Sequence, residues 1–404
     1  MNLLENASVK LFWFFGTYCL ASATAEVLRH GGERGPYLDF RVLSKLCGAE
    51  LDDKGPYGNV DPILFLRERT ITKDAQSYEP LISLSIPLND FDNKEKDTAS
   101  SEPDMRFDWQ EKGAVSSVVH DQGSLGTCAA FAVTGNIEGQ RALHGDGKME
   151  TLSVEQIIEC SADADDKNDM SNCGVFGGWP KLALEYVKKR GGIAADSDWP
   201  YCAGTLDANL MPLCFPCMPQ GYSRKGCDDH DDDFYCNAES TIGQKKNNGW
   251  CNSSSFRPRV TINEVLELSD SENEEILVQH LKENGPLAVA LSIGPLQFYR
   301  RGILDPPALV CARTGRPDHV ALLTGYGVEN GKQYWRLKNS WGAAWGEKGY
   351  FRLRRGKNAC GIGRFQVATA KGIRTIHQSP FLEEQEATTT AIASTALRAI
   401  LDVQ

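Results

Sequence analysis

The chain has no concentration of positive charge. Its 43 lysines and arginines are outnumbered by 54 aspartates and glutamates, which gives the 404 residues a net charge of −11. No basic stripe of the kind that neutralises phosphates is present, so nucleic acid is excluded as a partner. Hydrophobic residues make up 41% and charged residues 24% of the sequence. This is the composition of a soluble globular protein, with enough length for two domains.

Long apolar runs are also absent, and with them any predicted membrane anchor. The one notable short run follows Lys10, spans residues 11–20 and is followed by small residues up to Ala25. A positive flank, a short apolar core and an A-x-A-like end are the layout of a secretory signal. We therefore predict a cleaved signal peptide at residues 1–25 and a secreted or lysosomal/vacuolar destination.

The cysteine content agrees with an oxidising compartment, where most cysteines pair. Of the 13 cysteines, Cys19 leaves with the signal peptide and Cys47 lies in a predicted pro-region, which leaves eleven. An odd number requires at least one thiol that is free or pairs outside the chain. Cys128 is the natural candidate for that thiol.

Composition divides the rest of the chain into segments. Residues 26–102 are polar and loop-rich and end in a charged, Ser/Asp-rich stretch typical of a cleavable linker, so we predict a pro-region there. Residues 103–370 have the pattern of a packed domain, interrupted at 202–256 by a cysteine-rich insertion, and residues 371–404 form a C-terminal extension. Helical patterns come first and strand patterns second, which predicts an α+β chain of two lobes.

One cysteine and one histidine stand out as a reactive pair. Cys128 begins a helical pattern with Thr127 as candidate N-cap, and the unpaired N–H groups at that position lower a thiol pKa. Only seven histidines exist, and His319 begins a buried-looking strand in which a polar ring needs a partner. Asn339 on the next predicted strand offers its amide oxygen to the ring, and Trp341 is placed to keep water away.

Three motifs in order carry a resemblance to a known family. "DQGSLGTCAAFAVTGNIEG", "DHVALLTGYG" and "YWRLKNSWGAAWGEKGYFRL" resemble the papain-like cysteine proteases of the cathepsin L and F type, over roughly residues 107–370. The resemblance implies an α+β papain-like fold with a helical left lobe, a β-barrel-like right lobe and a cleft between them. It also implies an endopeptidase that is made as a zymogen, works through a thioester acyl-enzyme and needs no metal or organic cofactor.

The resemblance implies a role for each motif residue. Cys128 would attack the peptide carbonyl, His319 would pair with it as imidazolium, and Asn339 would orient that ring. Trp341 would cover the pair, with a plain core aromatic as its alternative. Gln122 would donate its side-chain amide to the oxyanion, with a turn residue as its alternative. His319 lies 191 residues after Cys128, against about 130 to 150 in the usual signature, and the insertion accounts for the excess.

Two positions beside the nucleophile depart from the family pattern. Leu125 stands where the family has a cysteine, and Ala129 stands where it has a tryptophan. The lost cysteine predicts that Cys173 pairs within the insertion. Both departures favour a second hypothesis, which is a weakly active or inactive papain-fold protein used for binding or as a scaffold.

The resemblance also implies disulfides and partners. Cys311 should bridge to Cys360, and Cys160 should pair with Cys202 or a near neighbour. Protein or peptide substrates and protein inhibitors are the implied partners, and the chain is expected to be a monomer. The pro-region either inhibits by lying through the cleft or is an arm of other purpose.

A set of residues is implied to contact the substrate. Two glycines would pair with extended substrate backbone by adding a strand, and most of the others would form the pocket for the second residue before the cleaved bond. Because no acid stands at Phe365, we predict that this pocket prefers bulky apolar side chains to arginine. The set consists of Gly177, Gly178, Trp179, Pro180, Ala288, Pro317, Val320, Phe365 and Trp341.

The insertion is open to several interpretations. Cys214 and Cys217 have the spacing of a zinc or redox site, but disulfides are favoured in a secreted, cysteine-dense stretch. The insertion also falls where a carboxydipeptidase would carry its blocking loop, but His230 lies in an acidic run that would repel a terminal carboxylate. A solvated, partner-binding loop with a glycosylation sequon at Asn252 is the favoured interpretation.

Overall fold

The computed structural model describes residues 106–202, 256–268, 273–292, 294–306 and 317–376, together with Ser44, 47–51, 54–57 and a few positions between 204 and 251. Several predictions from the sequence fall outside these residues. They are the signal peptide, most of the pro-region and of the insertion, residues 377–404, Cys214, Cys217, His230, Asn252 and Cys311.

Four α-helices occur among the described residues: α1 Cys128–His144, α2 Val154–Cys160, α3 Pro180–Arg190 and α4 Glu274–Asn284. Helix α2 begins where the side chain of Ser153 accepts a hydrogen bond of 3.0 Å from the Gln156 N–H. Helix α3 ends at Gly191, whose φ of 83° is a left-handed conformation that glycine adopts readily. Both helices agree with the prediction that helical patterns come first in the packed domain.

The second half of the described chain is mainly sheet, as predicted. The strands are β1 Glu50–Leu51, β2 Phe107–Asp108, β3 Ala164–Asp165, β4 Met170–Ser171, β5 Ile193–Ala194, β6 Pro258–Thr261, β7 Glu264–Leu268, β8 Leu287–Leu291, β9 Tyr299–Arg301, β10 Ile303–Leu304, β11 His319–Glu329, β12 Lys332–Lys338, β13 Tyr350–Arg354, β14 Val367–Lys371 and β15 Arg374–Thr375. The largest sheet has eight strands in the order β10-β13-β12-β11-β8-β14-β7, with β2 paired to β11.

Strand β8 lies between two hydrophobic cores because its side chains alternate. Leu287, Val289 and Leu291 belong to a core that also contains part of α4. Ala288 and Ala290 point the other way, into a core built with α1, α2 and α3. Side chains alternate between the two faces of a strand, and the small alanines leave room for helix α1. The sheet therefore forms one lobe and the three helices pack against it as the other.

Helix α1 approaches the sheet closely through two glycines. A Cβ atom added at Gly139 would lie 2.4 Å from a Pro286 carbon and 2.5 Å from the Ala114 carbonyl oxygen. A Cβ at Gly135 would lie 3.0 Å from the Leu322 side chain on β11. This contact places the start of α1, which carries Cys128, beside the start of β11, which carries His319.

The disulfide predicted for Cys160 is wrong. Cys160 pairs with Cys251, at a Cα–Cα distance of 4.7 Å, and not with Cys202. The Cys202 N–H donates a hydrogen bond of 2.9 Å to the carboxylate of Glu155, in the first turn of α2. Cys160 is the last residue of that helix, about 7 Å further along its axis. Cys202 is therefore held at the opposite end of α2.

Leu125 stands where the family has a cysteine, and the predicted consequence, that Cys173 pairs within the insertion, is confirmed. Cys173 forms a disulfide with Cys227, which lies inside the insertion. Cys202 and Cys360 each take part in a disulfide as well. The predicted Cys311–Cys360 bridge stays a prediction, because Cys311 is not among the described residues.

Candidate active site

Cys128 is the first residue of α1 and the only free cysteine among the described residues. Thr127 occupies the N-cap position, as predicted, but its side chain makes no capping hydrogen bond. Its hydroxyl lies instead 3.2 Å from the Tyr201 hydroxyl. The backbone N–H groups of the first turn are therefore not covered by the Thr127 side chain, and the positive end of the helix acts on the thiol.

The thiol of Cys128 is fully buried. Burial raises its pKa to about 12, because the charged thiolate loses its hydration, although a hydrogen bond from the Val320 backbone N–H acts in the opposite direction. Since Val320 follows His319, the sulfur lies near the start of β11. In this closed arrangement the group is a neutral thiol at pH 7.

His319 and Asn339 form the pair predicted from the sequence. The Nε2 atom of His319 lies 2.8 Å from the Oδ1 atom of Asn339. An amide oxygen can only accept, so Nε2 carries the proton and Nδ1 keeps its lone pair. Nδ1 is buried and has no hydrogen-bond partner among the described residues. The ring is thus oriented with an unused acceptor nitrogen.

The imidazole is also held in its neutral form. Burial lowers the pKa of His319 to about 4, although the hydrogen bond to Asn339 raises it. In this closed arrangement the imidazole and the thiol are therefore both neutral at pH 7. Both shifts have the same cause, which is the exclusion of water from the site.

Trp341 packs over the histidine. Its ring centroid lies 5.0 Å from that of His319 at an interplanar angle of 47°, and its side chain is 1% exposed. The ring also belongs to the core on the α4 side of the sheet and contacts Trp345. Both interpretations from the sequence therefore describe this residue, which is a core aromatic that covers the histidine.

Gln122 is buried and tied to the residue that follows Asn339. Its Oε1 accepts a hydrogen bond of 2.6 Å from the Ser340 hydroxyl, and its backbone N–H donates to the Ser340 carbonyl at 2.8 Å. Its Nε2 donates at 2.5 Å to the carbonyl oxygen of Leu125. An amide nitrogen carries two protons, so this one hydrogen bond does not use up its capacity to donate.

Leu125 and Ala129, the two departures from the family pattern, both pack in or against the core that contains Cys128. Leu125 is half-buried against the core that contains Cys128. Ala129 is 3% exposed and sits in the same core. Neither residue carries a polar group toward the Cys128 thiol, so the substitutions alter packing around the helix and leave the reactive groups in place.

The residues expected to contact the substrate lie in two groups. Ala288, Val320 and Phe365 share the core of Cys128, with Phe365 only partly buried. Trp179 and Pro180 start α3, which is joined to the Phe365 region where the Lys181 N–H donates to the Gln366 side chain at 2.8 Å. Pro317 is buried two residues before His319.

The glycine pair lies at the entry to helix α3. Gly177 has a φ of 135°, a conformation that favours glycine. A Cβ at Gly178 would lie 2.7 Å from the side-chain oxygen of Asn172. That oxygen accepts a hydrogen bond of 2.8 Å from the Trp179 N–H, so the turn is held tightly against Asn172.

Sequence reasoning missed three residues that hold the site. Ser340 anchors Gln122, and the Tyr201 hydroxyl donates to the Gln122 carbonyl at 2.6 Å. Tyr57, far away in the predicted pro-region, contacts Trp341. Ser340 could have been found because it is the neighbour of Asn339, but no local pattern points to the other two.

Comparisons with known proteins identify the family. The model of the papain family cysteine proteases matches residues 103–370. A viral cathepsin of Choristoneura fumiferana nuclear polyhedrosis virus is 32% identical over 295 residues, which are 72% of each chain. The chain therefore belongs to the papain family of cysteine proteases.

Other relatives agree but are covered less completely. Mouse cathepsin F is 34% identical over 256 residues, which are 63% of this chain but only 43% of the relative. The solved structure of a digestive procathepsin L 3 from the larval midgut of Tenebrio molitor superimposes with a TM-score of 0.51 at 26% identity, covering 79% of this chain and 81% of that one. The α+β fold is thus the papain fold.

The described ranges lack two further features, a membrane-spanning helix and a metal-binding cluster. None of the helices there is long and apolar enough to cross a membrane. The same residues contain no group of three or more His, Cys, Asp and Glu side chains placed to hold a metal ion.

Proposed function

We propose that the chain is a cysteine endopeptidase, made as a zymogen, that hydrolyses peptide bonds through Cys128 and His319. The observation that carries the proposal is the 2.8 Å contact between His319 Nε2 and Asn339 Oδ1, beside a free thiol at a helix N-terminus. A binding module has no need of an oriented ring whose second nitrogen is left without a partner.

The proposed reaction begins with proton transfer within the pair. Once water enters, the pKa of Cys128 falls and that of His319 rises, and the thiol proton moves to Nδ1. The sulfur attacks the peptide carbonyl carbon, and the electron pair of the C=O bond moves to oxygen. Gln122 and the backbone N–H of Cys128 donate to this oxyanion.

The second half of the reaction removes the two products. The imidazolium gives its proton to the amine, the C–N bond breaks, and a thioester remains on Cys128. His319 then takes a proton from water, which attacks the thioester carbonyl. The C–S bond then breaks, the imidazolium returns its proton to the sulfur, and the carboxylic acid leaves the restored thiol. Asn339 keeps the ring in one orientation throughout.

The buried pair supports synthesis as an inactive precursor. Cys128 and His319 are both fully buried, so a substrate carbonyl cannot reach the sulfur in this arrangement. We propose a signal peptide at residues 1–25, a pro-region at 26–102, the peptidase domain at 103–370 and an extension at 371–404. The disulfides Cys160–Cys251 and Cys173–Cys227 support a secreted or lysosomal destination.

The substrate pocket supports a preference for apolar side chains. Phe365 presents a partly buried ring against the core that contains Ala288 and Val320, and none of these three residues carries a charge. We propose that the acid-processed chain cleaves fluorogenic peptides with leucine or phenylalanine as the second residue before the cleaved bond. Peptides with arginine there should be cleaved at least about tenfold more slowly, since a charge would lose its hydration without a partner. The same assay tests the scaffold hypothesis, which expects no cleavage of any peptide by folded, processed protein.

Gln122→Ala tests the oxyanion role. The substitution should lower kcat by about 10²- to 10³-fold and change KM little, because the lost hydrogen bond forms mainly in the transition state. Gln333→Ala, at the far end of β12, removes the same amide from a remote position and should leave kcat unchanged. If Gln122→Ala retains full kcat, the oxyanion role is wrong.

A further inference from the structure

Part of the predicted pro-region is built into the core of the sheet lobe. Residues 47–51 and 54–57, here called the N-terminal segment, bring Cys47, Leu51 and Tyr57 into the same hydrophobic cluster as Trp341 and Trp345. Their exposed fractions are 0%, 2% and 7%. Burial this deep is typical of residues belonging to a fold, since exposing them again would return their apolar surface to water.

Backbone pairing fixes the N-terminal segment in one register. Strand β1 pairs antiparallel with β9, with Glu50 opposite Arg301 and Leu51 opposite Tyr299. The Asp305 N–H donates to the Cys47 carbonyl at 2.8 Å. The Arg301 side chain forms an ion pair of 2.6 Å with Glu50. The segment is therefore an added edge strand of the lobe.

Tyr57 connects the segment to the active-site tryptophan. Its hydroxyl lies 3.0 Å from the Trp341 carbonyl oxygen and 3.1 Å from the Asp121 carboxylate, so it donates its proton between two acceptors. Its ring meets the Trp341 ring edge-on at 6.1 Å. Tyr57 is itself held where the Gln297 side chain donates to its carbonyl at 2.9 Å.

The contact reaches the catalytic pair through one residue. Trp341 packs on His319, and the backbone of Trp341 is also bridged to Asp121, next to Gln122. The Tyr57 hydroxyl thus holds both the residue that covers the imidazole and the residue that precedes Gln122. Loss of the segment would remove a support from both sides of the site.

We propose that the N-terminal segment stays on the enzyme after the linker that follows it is cut, and that Tyr57 is a positioning residue for Trp341 and, through it, for His319. The second part rests on the proposed peptidase function, while the first part does not. The active enzyme is then a two-part molecule, in which hydrolysis of a peptide bond between residues 58 and 105 leaves residues 47–57 bound to the peptidase domain.

The first experiment follows the segment itself. The full-length chain is activated at acid pH and purified by size exclusion, and intact mass is measured under native and denaturing conditions. We expect a peptide containing residues 47–57 to copurify in equal amount with the peptidase domain. Active enzyme that lacks these residues overturns the proposal. Because the readout is mass, retention can be established or refuted even if the protein cleaves no peptide.

The second experiment tests Tyr57 in the activated protein. Tyr57→Phe removes the hydroxyl and keeps the ring, so the segment should still copurify while kcat falls by about tenfold with KM within about twofold. The basic limb of the pH profile, which reports the His319 imidazolium, should shift as well. Tyr334→Phe on β12 is the matched control and should change neither. An unchanged kcat and pH profile in Tyr57→Phe would show that the hydroxyl has no positioning role.

Discussion

Cys128→Ser is expected to lower kcat/KM for peptide cleavage by the processed chain by at least about 10⁴-fold. A serine hydroxyl in the same place has no thiolate form at neutral pH, and knocking out the nucleophile of a coupled set removes nearly all the rate that the set supplies. The substitution is otherwise conservative, because serine is well tolerated at the start of a helix. Steady-state kinetics with a fluorogenic peptide measure the loss.

The control for this variant is on the same helix. Thr134→Ser keeps the hydroxyl that bonds to the Ala130 carbonyl at 3.1 Å and should retain wild-type kcat/KM. The thermal midpoints of both variants should lie close to that of the wild type. A Cys128→Ser protein that keeps more than about a hundredth of the activity would mean that another group is the nucleophile.

His319→Gln is expected to have the second largest effect, with a loss of about 10³- to 10⁴-fold in kcat/KM. Glutamine can still bond to Asn339, but it cannot carry a proton between sulfur, leaving group and water. In the variant, the contact that orients the His319 ring at 2.8 Å in the wild type would hold a side chain that cannot transfer a proton. Gln333→Ala, which lies far from the site, is again the control variant and should keep its activity.

The lowered pKa of His319 predicts that the stability of the precursor depends on pH, and the same variant serves as the comparison. The pKa of His319 is about 4 in the folded chain against an ordinary value of 6.5, because burial disfavours the imidazolium. A histidine with a lowered pKa stabilises the fold above pH 6.5, and this contribution is lost as the pH falls through 6.5 toward 4. The loss amounts to about 3 kcal/mol in the free energy of unfolding when complete.

Urea unfolding at pH 7 and pH 4 measures this loss, with the wild type and His319→Gln both carrying Cys128→Ser so that neither chain is processed at pH 4. The wild type should lose about 3 kcal/mol more than His319→Gln, in which the group does not titrate. All other titrating groups are common to the two proteins and cancel in the difference. Equal losses in both proteins would mean that the imidazole is not held neutral by burial. The expected result makes acidification a first step toward opening the site.

Much of the site could be predicted because its residues lie in local patterns. Cys128 begins a helix, His319 begins a strand, and Asn339 follows the next strand of the same hairpin. Antiparallel pairing of Leu322 with Lys338 brings the last two together, and it follows from strand order alone. Helices α2 and α3 are likewise bounded by Ser153 and Gly191, whose capping effects act within a few residues.

What could not be predicted depends on contacts between distant parts of the chain. The Cys160–Cys251 disulfide joins residues 91 positions apart, and nothing near either cysteine specifies its partner. Thr127 fails to cap because Tyr201, 74 positions away, competes for its hydroxyl. Tyr57 reaches Trp341 across 284 positions. The neutral state of Cys128 and His319 arises from burial, which spacing does not reveal.

The central claim is that Cys128 is a nucleophile kept neutral and closed until processing. It is tested most directly by labelling with an epoxysuccinyl peptide probe before and after acid processing, with the modified residue located by mass spectrometry. We expect no label on the unprocessed chain, stoichiometric label on Cys128 after the linker is cut, and none on processed Cys128→Ser. Folded, processed wild-type protein that takes up no label would contradict the account and leave a papain fold used as a scaffold.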